Sequence, residues 1–334
     1  MKQRYLPVAI LIAVLAVGLA LPLATNASAP GFYIEVLLGG LMAGVLYSLV
    51  ALGFVLIFKA SGVFNFAQGA MVLFAALSVA RIAEQVPLWA AVLLGIAIMV
   101  LLAVVVERLV LRPLVNQEGV VLLMATLGVS YFLDGFGQTV WGSDIYSIEL
   151  GLSKAPVMIL GDLFKGGILI NKDDVAAAVV AVLLVAALAV FFQKTATGRA
   201  LRAVADDHQA AQSIGIPLNR IWVIVWSVAG VVAVVAGMVW GAKLGVQFSI
   251  SQVALKALPV VILGGFTSIP GAIIGGLIIG VGEKMAEVFL GPVLVRAFDL
   301  AGGGIENWFA YVLALLFLLV RPEGLFGERI IDRV

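Results

Sequence analysis

Apolar stretches close to twenty residues long recur along the chain, separated by short polar breaks. Leu, Val, Ala and Ile fill them, and the apolar–polar alternation over about 10 residues that marks an outer-membrane barrel strand is absent. An α-helix of about 20 residues crosses the ~30 Å hydrocarbon core of a bilayer at ~1.5 Å per residue. The pattern predicts helices near 6–24, 35–58, 66–83, 87–106, 119–140, 174–193, 221–242, 253–266, 271–290 and 306–320. The eighth is short and contains Lys256 and Pro259, so it reads as half a helix. The expected fold is all-α: a polytopic membrane helix bundle of about 8–10 transmembrane helices, forming a single transmembrane domain over residues 1–334.

The first stretch has two readings. Lys2 and Arg4, the apolar run from Leu6 to Ala24 and then Ala27-Ser28-Ala29 resemble a cleaved signal peptide. The run is long for a signal core, which favours an uncleaved first span. Orientation follows the Lys and Arg between spans. With the N-terminus inside, the inner set is Lys2, Arg4, Lys59, Arg108, Arg112, Lys194, Arg199, Arg202, Arg220, Arg321, Arg329 and Arg333. The outer set, Arg81, Lys154, Lys165, Lys172, Lys243, Lys256, Lys284 and Arg296, is smaller. This places loop 194–220 in the cytoplasm and loop 141–173 in the periplasm. Five spans then precede residue 173 and five follow, an odd number per half that fits an inverted repeat.

The stretch 35–80 is the most informative. Two apolar helices flank a break, Lys59 to Gln68, that carries Ser61, Gly62, Asn65 and Gln68. Lipid offers no partner to a backbone amide, so a broken helix at membrane depth lies inside protein or faces water. Polar breaks between small-residue helices are where transporters handle solute. Candidate pathway residues are Asn65 and Gln68 at the break, Tyr47 and Ser48 on the helix before it, and Ser268 at a second break, 264–276. Thr126, Ser130, Asp134 and Gln138, four residues apart, share one face of the fifth span. Such a stripe lines a pathway or simply hydrogen-bonds to a neighbouring helix. The pairs Gly40/Gly44, Gly237/Gly241, Gly241/Gly245, Gly271/Gly275 and Gly276/Gly280 predict close helix packing.

Composition narrows the chemistry. The chain is 63% hydrophobic and 12% charged, with mean hydropathy +1.19. It has no Cys and one His, His208, which excludes disulfides, thiolate sites and multi-histidine metal centres. No catalytic residue and no metal site is expected. The net charge of +1 gives no reason to expect nucleic acid. No G-x-x-x-x-G-K-[ST] loop is present, so any ATP acts through another chain.

The stretch 198–216, GRALRAVADDHQAAQSIGI, is long, polar and helix-permissive, stopped by Gly215 and Pro217. It is either a solvated connector or a coupling helix that seats its small Ala face in a soluble subunit. In the coupling reading, Gly198, Arg199, Arg202, Ala205, Asp206, Asp207 and Gly215 carry the contact, with the charged residues setting its register.

Here the chain resembles a family: the permeases of branched-chain amino acid ABC importers, the LivH type. The likeness rests on Gly198, Arg199, Ala200, Arg202, Ala203, Ala211, Gly215 and Ile216 in the loop. It rests also on Asn65-Phe66-Ala67-Gln68-Gly69-Ala70, on Gly264 through Gly276 with Ser268-Ile269-Pro270-Gly271, and on Arg321 through Gly327. It covers about residues 35–327. Gln68 and Ala70 replace the family's usual His and Glu.

The resemblance implies a multi-pass permease of the bacterial inner membrane. Its implied partners are a second permease subunit (a distinct chain or a second copy), two cytoplasmic ATPases and a periplasmic solute-binding protein. ATP would be hydrolysed by those partners, and the chain itself would need no cofactor. Branched-chain or other hydrophobic amino acids lead as solute. Urea, short amides and small aromatic or aliphatic carboxylates stay open, since related permeases resemble one another closely. A membrane enzyme lacks convergent nucleophiles, acids or metal ligands, a passive channel leaves 198–216 unexplained, and the remaining alternative is an ion-coupled secondary transporter. It would want a midspan carboxylate, for which Asp134 is the one candidate, and it would leave 198–216 without a task.

Overall fold

The computed structural model describes residues 30–62, 64–114, 117–151, 155–159, 167–206, 208–299 and 303–327. The predicted first span or signal, and Asp207, lie outside them. The described chain is helical apart from one β-hairpin. The helices are α1 (Pro30–Ser61), α2 (Gln68–Ala83), α3 (Leu88–Val106), α4 (Gly119–Trp141), α5 (Lys172–Lys194), α6 (Ala196–Asp206), α7 (His208–Ser213), α8 (Leu218–Leu244), α9 (Ser249–Lys256), α10 (Leu258–Gly264), α11 (Ile269–Met285), α12 (Gly291–Phe298) and α13 (Ile305–Val320). By length and composition, α1, α3 with its continuation to Leu114, α4, α5 and α8 are each long enough to cross a membrane. A bent pair, Ser249–Gly264 and Ile269–Phe298, and two shorter apolar helices, α2 and α13, add to them. The chain is thus a polytopic helical membrane protein.

The helices fall into two compact units. The first holds residues 30–48, 151–182 and 256–327 of the described chain, the second residues 49–150 and 183–255. In the second, α8 packs on α2 and α3. A Cβ on Gly237 would meet the backbone of Val72, and one on Gly230 would press on Met99, so small residues set the close approach. Large side chains such as Leu93, Leu101, Tyr131, Phe132 and Leu183 are exposed on α3, α4 and α5, as expected of helix faces turned to lipid. The π-helical turn Glu107–Leu111 ends α3. Arg112 caps it with a bidentate pair, Nε and Nη2 to the Glu107 carboxylate at 3.1 and 3.0 Å.

In the first unit α1 crosses α11 through glycines. Gly40 and Gly44 lie against the backbone of Gly276, Leu277, Gly280 and Val281. These are two of the predicted stripes, and they meet each other. Residues after α13 turn back onto the end of α10. Leu325 N donates to Leu263 O at 2.8 Å and Phe326 N to Gly264 O at 3.1 Å. Gly324, at φ +80°, closes on Gly265.

Three expectations need revision. The stretch 253–266 is not one helix but α9 and α10, which bend by 115° into the following helix. Pro259 starts α10, where its missing N–H costs nothing. Loop 141–173 contains an antiparallel hairpin, β1 (Pro156–Ile159) with β2 (Ile168–Asn171), and Leu169 N bonds Glu35 Oε2 at 3.0 Å. Lys256 and Lys284, counted with the outer loops, sit in helices.

Candidate functional site

The first break is built by capping. Ser61 Oγ donates back to Ile57 O at 2.8 Å, and Gly62 takes φ +69°, which ends α1. Phe54 stacks on Phe64 at 4.8 Å, and Phe64 meets Phe66 edge-on at 4.9 Å. Asn65 Oδ1 accepts from Ala67 N at 3.0 Å, the short-range turn that Asn makes well. Thr126 Oγ1 on α4 accepts from Phe66 N at 3.3 Å and lies within donating distance of Phe64 O and Leu123 O. The break is therefore held inside protein by satisfied polar groups.

Gln68 is different. It starts α2 and is wholly buried, yet neither Oε1 nor Nε2 of its carboxamide has a hydrogen-bond partner. The amide lies against Gly53, where no Cβ intervenes. At the second break Ser268 caps α11, its Oγ accepting from Gly271 N at 3.0 Å.

The other predicted pathway residues divide. Ser48 Oγ bonds Gly44 O at 2.8 Å and reaches Ile273 O at 3.2 Å, so it stitches the glycine crossing. Ser130 and Asp134 are half-buried, Asp134 with an unpartnered Oδ1, while Gln138 is exposed. The stripe thus runs from a buried end at Thr126 to an open one at Gln138.

Tyr47 belongs to a cluster the sequence analysis missed. Its Oη donates to Glu283 Oε1 at 3.1 Å. Lys256 Nζ donates to the same oxygen at 3.3 Å and stands 3.9 Å from Glu306 Oε1. Glu283 is 3% exposed. Ionisable residues inside a predicted span are themselves a signal, and Glu283, Lys284 and Glu287 in 271–290 carried it, but a mean over the span hides three charges among glycines and isoleucines.

Loop 194–220 forms two helices. Thr195 Oγ1 accepts from Gly198 N at 3.0 Å and so caps α6. Arg199 Nη1 bonds Lys194 O at 3.3 Å and Arg202 Nη1 bonds Phe192 O at 2.5 Å, both capping the end of α5. Gly198 sits where a Cβ would overlap the Phe192 backbone. Leu201, Val204 and Ala211 are buried and Ala205 half-buried. At the end of α7, Gly215 N bonds Gln212 O at 2.9 Å and Ile216 N bonds Ala211 O at 3.0 Å. With Gly215 at φ +86° this is a Schellman stop. Ile214, just before it, is 75% exposed.

These features match known proteins over nearly the whole chain. The family profile described as "Branched-chain amino acid transport system / permease component" covers residues 36–321. The high-affinity branched-chain amino acid transport system permease protein LivH of Salmonella typhimurium is 28% identical over 91% of this chain and 98% of its own length. The corresponding protein BraD of Pseudomonas aeruginosa is 29% identical over 90% of this chain and 98% of its own. A solved structure, PsaBC from Streptococcus pneumoniae in complex with Fab, overlays with a TM-score of 0.44 at 16% identity, over 85% of this chain and 91% of that one, too distant to carry an argument. A helical membrane chain with two capped breaks, glycine crossings and a folded loop at 196–216, matched by the family profile over residues 36–321, belongs to the family of branched-chain amino acid transport system permease components.

Proposed function

We propose that this chain is a permease subunit of an ATP-driven importer for branched-chain or other hydrophobic amino acids, set in the inner (plasma) membrane. One observation carries the reading: between α5 and α8 the chain folds α6 and α7 into a capped module that presents the exposed residues Gln212, Ser213, Ile214 and Gly215. A mere connector needs no such organisation. We assign those residues to contact with a cytoplasmic ATPase. ATP closes a pair of ATPases, their movement is transmitted through α6 and α7, and the permease alternates between outward and inward access. A second permease subunit completes the pathway and a periplasmic binding protein delivers the solute. The chain itself catalyses no reaction. Of the pathway residues, Gln68 has the strongest case, because a buried carboxamide with no protein partner is poised for solute or water.

The test is reconstitution in proteoliposomes with the neighbouring ATPases and binding protein. ATP-dependent leucine uptake, lost when the ATPases are left out, supports the proposal. Uptake by this chain alone without ATP rejects it. A panel including urea, acetamide and a short carboxylate names the solute.

A further inference from the structure

Buried charge inside a membrane helix is costly unless matched, and the first unit keeps a group of it. Glu283 Oε1 takes hydrogen bonds from Tyr47 and Lys256 at 3.1 and 3.3 Å. Lys256 is shared, since Glu306 Oε1 stands 3.9 Å from the same ammonium. Close by, Lys284 bonds Glu287 at 2.6 Å. Three carboxylates therefore meet two ammonium groups, leaving one negative charge in excess. Lys256 is not sealed in: its side chain is 31% exposed, and both of its contacts are longer than the ~2.7–2.9 Å of a tight charge-assisted bond. Next to Glu306 opens a cleft of about 300 Å³ whose walls include Glu287, Pro292, Val295 and Ile305. Surplus carboxylate, a reachable lysine and an apolar wall complement the three parts of an aliphatic amino acid.

We propose that this group binds the head of a zwitterionic solute. Its ammonium pairs with Glu306 on the cleft wall, its carboxylate with Lys256 beside Glu306, and its aliphatic chain lies along Pro292, Val295 and Ile305; buried Glu283 holds Lys256 in place. Tyr47 is a positioning residue that holds Glu283. The inference rests on the amino-acid importer reading and deepens it by choosing a class. Urea or a neutral amide brings no charge to either Glu306 or Lys256, and a simple carboxylate or a simple amine meets only one of them.

The experiment uses the full chain in lipid nanodiscs, titrated with labelled leucine, alongside the assembled importer in proteoliposomes. Glu306→Gln, a part-exposed position expected to fold, and Lys256→Met should each weaken leucine binding tenfold or more. Lys256→Arg should recover part of it, and 4-methylpentanoate and isoamylamine should compete at least tenfold worse than isoleucine. Two results overturn the site: unchanged leucine affinity in Glu306→Gln and Lys256→Met, or full uptake by the apolar pair Glu283→Leu with Lys256→Met, which would make the cluster a structural ion pair. Either can occur while wild-type ATP-driven uptake stands. Absence of that uptake in the wild type overturns the importer reading itself.

Discussion

The carboxamide of Gln68 rests against Gly53 and fills the space a side chain there would take, with no hydrogen bond to either of its polar atoms. Leaving a buried amide unpaired costs about 1–3 kcal/mol. Gln68→Leu removes that cost with little change of volume. The variant should match the wild type in thermal stability or exceed it by about 1 kcal/mol, while ATP-driven uptake falls. A clear loss of stability would mean that the amide has a structural partner, and Gln68 would leave the pathway.

At the glycine crossing the consequences are steric. A Cβ on Gly276 would overlap Ser48 Oγ and the Gly44 carbonyl, whereas nothing lies within 4 Å of one on Gly39. Gly276→Val should lower stability by about 1–3 kcal/mol or more, the usual cost of overpacking, and Gly39→Ala should be silent. Thermal unfolding of the detergent-solubilised protein, followed by size-exclusion fluorescence, separates the two.

Thr126 supplies the acceptor that Phe66 N needs in the first break. Thr126→Val keeps the shape and removes the hydroxyl, leaving that amide unpaired at a cost of about 1–3 kcal/mol. Thr126→Ser should stay close to wild type. Equal stability of the two variants would show that the hydroxyl does not hold the break.

In the 196–216 module, fold and docking separate by residue. Arg202 is spent on the Phe192 carbonyl, so Arg202→Ala should cost about 1.5–3 kcal/mol of stability. Ile214 is exposed, so Ile214→Asp should leave stability within about 0.5 kcal/mol yet sharply reduce co-purification of the ATPase. Undiminished recovery of the ATPase with Ile214→Asp would move the contact elsewhere.

Much of this was legible in the chain. Hydropathy located the long helices because lipid demands continuous apolar length. Ser61, Gly62 and Asn65 announced the first break through capping chemistry, and Gly215 the end of α7. The spaced glycines announced close contact but not which helices would meet, since that depends on the tertiary fold: Gly40 and Gly44 find Gly276 and Gly280 across more than two hundred residues. Glu283 escaped because its meaning comes from Tyr47 and Lys256, neither of them near it in sequence. The hairpin at 156–171 escaped because short strands carry little periodicity. Ser48, Thr126 and Ser268 were found for their polarity, but the structure occupies them with backbone partners.

The turn from Arg321 to Gly327 works as a buckle. By giving its amides to Leu263 and Gly264 it fastens the last helix to the sharp bend after α10, and Gly324 admits no bulkier residue beside Gly265. Cutting the polypeptide at Val320 would strip two carbonyls of their donors and free that bend, whereas a purification tag joined beyond Gly327 would leave the fastening intact.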